Sequence, residues 1–348
     1  MQDLTLLINK LYQEHHLEKE EWIMLIRGQT PELSRYLFSL AREVRHRYYG
    51  HQVWIRGLIE FTNYCRNDCY YCGIRAGNRQ AKRYRLTQEQ ILSCCRAGYQ
   101  LGFRTFVLQG GEDLWFTDEK ICQIVRSIKE EFSDCAVTLS IGERSRESYQ
   151  AFFNAGADRY LLRHETFNAE HYSTLHPKNL TAAHRQACLF TLKDIGYQVG
   201  AGFMVGSPGQ TPKYLAEDML FLERLKPHMV GIGPFIPHHA TPFADQSAGT
   251  LEETLFFLGL IRLLLPKVLL PATTALGTIV PDGREQGILA GANVIMPNLS
   301  PPDVRERYAL YDNKLCTGAE AAEARKELEE RMAAIGYQVV TTRGDSLM

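Results

Sequence analysis

Short apolar runs alternate with longer amphipathic stretches along most of the 348 residues. Val53–Glu60, Thr105–Gln109, Ala136–Ser140, Arg159–Arg163, Gln198–Phe203, Met229–Gly233, Val268–Pro271 and Asn293–Met296 read as short buried strands. Between them, Thr87–Leu101, Asp118–Glu131, Ser145–Ala155, Thr181–Ile195, Pro212–Leu225 and Leu251–Leu265 predict helices. Strands alternating with helices favour parallel pairing. Eight such units predict a complete (β/α)8 barrel of the TIM type over residues 51–310, its last two helices poorly marked. Ahead of it, Leu4, Leu7, Ile8 and Leu11 share one face. Pro31 opens a further helix that Tyr36, Leu37, Leu40 and Val44 continue, so residues 1–50 predict a helical extension docked on the barrel. Residues 311–348 predict a helical segment packed on the barrel, with its helix at Ala319–Ala334.

Composition narrows the class. Apolar residues make up 45% and charged residues 23%, ordinary for a globular chain with a large core. With 39 basic and 40 acidic residues the net charge is −1, and no block of like charge predicts a nucleic-acid or polybasic membrane surface. The most apolar stretch, Thr254 to Leu265, holds Arg262 and is followed by Pro266 and Lys267, which suits a buried helix better than a membrane span. The start, MQDLTLLINKLYQEHH, lacks a secretory pattern, and nine cysteines in such a chain point to a reducing cytoplasm.

In such a barrel chemistry gathers at the C-terminal ends of the strands, and the informative motifs fall there. Cys65, Cys69 and Cys72 follow the first strand as C-x3-C-x2-C. Three thiolates can hold three irons of a cubane cluster and leave the fourth open to bind and break a molecule. Tyr71, just before the last cysteine, can cover such a cluster and exclude water. Structural zinc usually takes four ligands, often as two C-x2-C pairs, so a zinc reading needs a further ligand from elsewhere. Chance clustering among nine cysteines is the other alternative.

Gln109-Gly110-Gly111-Glu112 follows the second strand; two glycines let backbone approach a ligand, or make an ordinary turn. Ser140 ends the third strand. Arg163 and Glu165, two apart, project to one side after the fourth, with His164 on the other. In the first strand Arg56 and Glu60 share a face that points into the barrel, either as a structural bridge or as part of a cavity for a polar or anionic substrate. Arg163, Thr273, Thr274 and Tyr308 are candidates to line that cavity, with Gly200 and Gly202 thinning its wall and Met204 closing one side. Arg185 reads as a helix-face charge or a ligand. His238 and His239 are more naturally exposed or hydrogen-bonded than metal-bound, and Cys94, Cys95, Cys122, Cys135 and Cys188 read as core thiols.

The cysteine triplet resembles the signature of the radical S-adenosylmethionine (SAM) superfamily. That resemblance implies one 4Fe–4S cluster on Cys65, Cys69 and Cys72, whose open iron chelates SAM. It further implies that the Gly110–Gly111 turn, with Gln109 and Glu112 beside it, meets the SAM amino group. Glu165 would hold the ribose, Arg185 the carboxylate, and Ser140, Tyr71 and Met204 would make further contacts. Taken together, IEFTNYCRNDCYYCGIR, YRLT, VLQGGED, RYLLRHET, GAGFMVGSPGQT, MVGIGPFIPH, PATTALGTIVP and GANVIMPN resemble the HydE family of FeFe-hydrogenase maturases, over about residues 50 to 300.

That family implies assembly of the hydrogenase diiron subcluster, by radical attack on a cysteine-bound iron carbonyl–cyanide unit. The implied partners are this small organometallic substrate, sister maturases and an electron donor. Many members carry extra C-terminal cysteines for a second cluster; here Cys316 stands without partners, so one cluster is expected. The methylornithine synthases share the barrel and several motifs but, in their usual pattern, not the Arg-His of RHET. A non-catalytic Fe–S scaffold is the alternative outside enzymology.

Overall fold

The computed structural model describes residues 2–315 and 321–348. Three helices, α1 (Gln2–Glu14), α2 (Lys19–Arg27) and α3 (Pro31–Tyr49), precede β1 (Gln52–Ile55) and β2 (Gly57–Thr62). The alternation then runs α4 (Gln88–Gln100), β3 (Thr105–Gly110), α5 (Asp118–Glu131), β4 (Ala136–Ser140), α6 (Arg146–Asn154) and β5 (Arg159–Leu161). It continues through α7 (Ala169–Leu175), α8 (Ala182–Ile195), β6 (Gln198–Ala201), β7 (Met204–Val205), α9 (Pro212–Leu225), β8 (Met229–Val230), β9 (Gly233–Pro234) and α10 (Leu251–Leu264). Last come α11 (Thr274–Ile279), α12 (Gly283–Leu289), β10 (Val294–Ile295), α13 (Pro302–Arg305), α14 (Ala321–Ala334) and β11 (Gln338–Val340).

The strands form a parallel α/β, barrel-like sheet. Six pair in the order β2-β3-β4-β5-β6-β8, three as β10-β1-β11, and β7 pairs β9. Thr or Ser at positions 87, 117, 145, 181, 211 and 250 caps the helices between them, each side chain accepting from the third helical N–H. These caps fix where each helix starts and leave the preceding loops at the rim. Beneath α3, α10 is buried along nearly its whole length. Arg262 survives there because its guanidinium donates to the carbonyls of Gly291, Pro266 and Val268, although burial lowers its pKa to about 9.

Three expectations change. The first strand breaks at Arg56 into β1 and β2, because its lower half pairs β10 and β11 while its upper half pairs β3. Residues 268–271 form only the single bridges Met229–Leu269 and Pro271–Val294; Pro266 and Pro271 remove donors on either side of a longer ladder. The C-terminal segment is not wholly helical: the β-branched Val339–Val340 completes an edge that β1 leaves open. Beyond it the chain runs under the N-terminal ends of the strands. Trp54 Nε1 donates to Thr342, Thr105 donates to the Arg343 carbonyl, and Arg159 pairs with Asp345 at 2.7 Å. Residues 319–320 of the expected last helix, and Cys316, lie outside the described residues. No helix among the described residues is long and apolar enough to cross a membrane.

Candidate active site

The loop after β2 carries the three cysteines and is held by its own side chains. Arg83 donates to the carbonyls of Asn63, Ile74, Arg75 and Asn78, and Asp68 accepts from Arg75 and from the Gly77 N–H. The Cys65, Cys69 and Cys72 thiols are free and half-buried. Burial first, then mutual proximity, pushes the Cys72 thiol up to about 12 and Cys69 well above its ordinary value; burial also raises Cys65. Three such thiols become thiolates only against a strong positive charge, as bound iron would provide.

The cysteines open onto a cavity of about 340 Å³. Tyr71, Gln109, Gly110, Gly111, Glu112, Ser140, Glu165, Arg185 and Met204 all line it, as do Arg163, Thr273, Thr274 and Tyr308. Gly111 is required by contact, since a Cβ there would lie 2.2 Å from the Tyr64 carbonyl oxygen and 2.7 Å from the Cys65 Cβ. Glu112 is buried and accepts from Arg66 Nε at 3.0 Å and from the Glu143 N–H at 2.8 Å. Tyr71 Oη sits 3.2 Å from His176 Nε2; burial drops that imidazole to about 3, so it is neutral, with Nδ1–H donating to the Tyr172 carbonyl.

Several buried polar groups have charge contacts but lack hydrogen bonds. Arg163 Nη2 lies 3.0 Å from Glu165 Oε2, and Arg185 Nε lies 2.7 Å from Glu143 Oε1, yet none of these four atoms has hydrogen-bond geometry to a partner. We take the distances as real ion contacts and the missing directionality as donor and acceptor capacity left for a ligand. Glu165 is also held at φ +64°, a left-handed conformation rare for a residue other than glycine or asparagine, by bonds on both sides to Gly202 and Met204. The Thr273 hydroxyl is buried without a partner at the cavity wall. A zwitterion with ribose hydroxyls beside three thiols that would hold iron matches this donor and acceptor set, so the residues fit a 4Fe–4S cluster with SAM.

Arg56 departs from expectation. It is fully buried but does not line the cavity, and it does not meet Glu60. One Nη donates to the Met229 sulfur at 2.7 Å, its other two nitrogens have no acceptor, and burial lowers its pKa well below the usual value. The strand break puts Arg56 at the floor, with Met229 between it and the cavity side. Glu60 instead receives Lys314 Nζ at 2.5 Å and Asn298 Nδ2 at 2.8 Å. Lys314, Glu143 and His176 are site residues that the sequence reading left unassigned. Glu143 follows shortly after Ser140 at the end of β4, so its place beyond a strand end could have signalled it, whereas Lys314 gives no local signal. His238 and His239 lie with Asp312, whose carboxylate takes the His239 Nδ1 at 2.7 Å, while His238 Nδ1 accepts from the Ala240 N–H. The five further cysteines at 94, 95, 122, 135 and 188 are buried thiols.

A parallel α/β sheet with a three-cysteine loop over such a pocket defines a radical SAM enzyme, and residues 59–222 match the Radical SAM superfamily. Its cofactors are a 4Fe–4S cluster and SAM. The chain is 51% identical over 280 residues to the FeFe hydrogenase maturase subunit HydE of Thermotoga maritima, covering 80% of each. It is 30% identical to the 3-methylornithine synthase of Methanosarcina barkeri, over 88% of this chain and 87% of that one. A crystal structure of methylornithine synthase superposes with TM-score 0.85 at 27% identity, over 96% of this chain and 97% of its own. The chain belongs to the HydE family of FeFe-hydrogenase maturases.

Proposed function

We propose that the protein assembles the diiron subcluster of the FeFe-hydrogenase H-cluster, taking a cysteine-ligated Fe(CO)2(CN) unit as substrate. When bound and reduced by one electron, the cluster would supply reductive cleavage of SAM to methionine and a 5′-deoxyadenosyl radical, which would bond to the cysteine sulfur of that substrate as the substrate's iron takes up the electron left over. The observation that carries this reading is a single cavity lined by the three thiols and also by Arg163, Lys314 and the unpaired Thr273 hydroxyl. Arg163 and Lys314 would hold an anionic substrate, and Thr273 would donate to it. Arg185 and Glu165 would fix SAM, Tyr71 held by His176 would cover the cluster side, and Tyr308 would keep water out. We read the single bridges at Leu269 and Pro271 as completing an eight-stranded barrel around this cavity. We place the protein in a reducing cytoplasm with sister maturases and an electron donor as partners.

The test is anaerobic. Reconstituted, reduced protein is given SAM alone, SAM with lysine, and SAM with a synthetic cysteine-bound iron dicarbonyl cyanide complex, and 5′-deoxyadenosine is quantified. Stimulation by the iron complex alone is expected. Stimulation by lysine would move the protein to a mutase of the methylornithine type, and no cleavage under any condition would leave a scaffold.

A further inference from the structure

His164 sits between Arg163 and Glu165 in sequence, yet it does not line the cavity. Its ring is fully buried and packs against the rings of Phe203 and Phe221, with centroids 5.9 and 4.8 Å away. Both nitrogens are used. Nδ1 accepts from the Gly202 N–H at 3.3 Å, which places the ring proton on Nε2, and Nε2–H donates to Asp218 Oδ1 at 3.2 Å. The same oxygen accepts from the Phe167 N–H at 2.6 Å, and Asp218, on α9, is also fully buried. Two apolar side chains would fill this space at less cost than a buried imidazole and carboxyl, so packing alone does not account for the pair.

What the pair holds is the turn at Glu165. The Thr166 N–H bonds back to the His164 carbonyl at 2.8 Å, closing a three-residue turn with Glu165 at its centre and φ +64°. A turn of this size with a positive central φ is the rare, strained form, and it persists only where its surroundings over-determine it. Gly202, just beyond β6, supplies one set of ties: its N–H goes to His164 and its carbonyl accepts from the Glu165 N–H at 3.0 Å. Asp218 supplies the other, since one oxygen takes His164 ahead of Glu165 and Phe167 behind it. We propose that His164 and Asp218 are positioning residues for SAM, clamping this turn from both ends and so aiming the Glu165 carboxylate at the ribose. Neither lines the cavity, so each acts through Glu165. The clamp rests on Glu165 being a SAM ligand, as proposed above, and is independent of the iron substrate.

The test is equilibrium dialysis of labelled SAM, and in parallel of methionine, against the oxidised reconstituted holoenzyme. Methionine has the amino and carboxylate groups of SAM but no ribose, so it does not report on Glu165. His164→Phe keeps a ring against Phe203 and Phe221 and removes both side-chain hydrogen bonds. It is expected to weaken the SAM Kd about tenfold. Methionine should stay within about twofold of the parent, the scatter of uncoupled sites. Asp218→Leu reaches the clamp from the other side and should act in the same sense, so either variant suffices if the other does not fold. Asp218→Asn keeps an oxygen for His164 and Phe167 and should bind SAM within about twofold of the parent. Glu165→Ala should itself lose SAM affinity, and adding His164→Phe to it should cost nothing further. Parent-like SAM binding in a folded His164→Phe or Asp218→Leu protein, with Glu165→Ala impaired, would overturn the clamp alone. So would equal losses for SAM and methionine, or a full further loss in the double variant, either of which would make His164 a purely structural residue. A Glu165→Ala protein that binds SAM like the parent would instead overturn the ribose assignment, and the clamp with it.

Discussion

Lys314→Met tests how the cavity wall is held. Glu60 is 1% exposed, and its carboxylate is held by Lys314 and Asn298. Removing the ammonium leaves a buried carboxylate with one amide donor, a situation that costs about 3–5 kcal/mol when the charge stays in place. Glu60 can escape by taking a proton. From its ordinary value of 4.5, staying protonated at pH 7 costs about 3.4 kcal/mol, which caps the loss. Burial already raises the Glu60 pKa in the parent, and Lys314 partly offsets that rise. The native form of the variant therefore binds more protons than the unfolded chain above pH 4.5, so its stability falls as pH rises from there towards neutrality. The same argument gives a cap of only about 1.4 kcal/mol at pH 5.5. With the unfolding entropy scaled to this chain length, each kcal/mol is about 1–2 °C in Tm. Calorimetric melts should therefore show Lys314→Met some ~3–6 °C below the parent at pH 7 and within ~2 °C of it at pH 5.5. Adding Glu60→Gln should recover at least half of the neutral-pH loss. A deficit that does not change between pH 5.5 and 7, or a double variant no better than the single, would refute the reasoning.

Other outcomes follow from the same geometry. Cys→Ser at 65, 69 or 72 should each lower bound iron and the reduced-cluster EPR signal and abolish SAM cleavage; full cleavage in all three would sink the site. Arg185→Lys keeps the charge but loses the fork that faces Glu143, so SAM affinity should fall about tenfold by equilibrium binding. Arg56→Met replaces a fully buried cation that no carboxylate meets, so Tm should hold or rise. That variant should still bind SAM; a large fall in Tm would show that the Met229 contact matters more than the buried charge costs.

Much of the fold was legible because burial has a period. The strands at 105–110, 136–140 and 198–201 and the helices between them lie where the alternation puts them. Within the site, residues on rim strings were legible because barrel chemistry gathers at strand ends. What escaped was set by contacts distant in sequence. Lys314 meets Glu60 across 254 positions, so neither residue's neighbours announce the pair. Arg185 has the local pattern of a solvated helix charge and is buried only because Glu143 and Tyr172 come to it from other elements. Arg56 was read on the correct face of its strand but at the wrong depth, since strand alternation gives direction and not height in the barrel. The pairing of β11 with β1 was missed for the same reason: a three-residue edge strand has almost no periodic signal of its own.

The tail beneath the barrel has a consequence for how the molecule is made. Arg159, fully buried, has its carboxylate partner in Asp345, and Arg343 reaches back to Asp158. Although burial pushes the Asp345 carboxyl up, hydrogen bonds from Arg343, Arg159 and Gln198 hold it well below its usual range. A ribosome delivers these residues only after every one of the strands has emerged. Until then the underside stands open, with Arg159 lacking its carboxylate partner. The nascent chain can shape its rim early, but the contacts that cover its underside form only once this last segment has been translated.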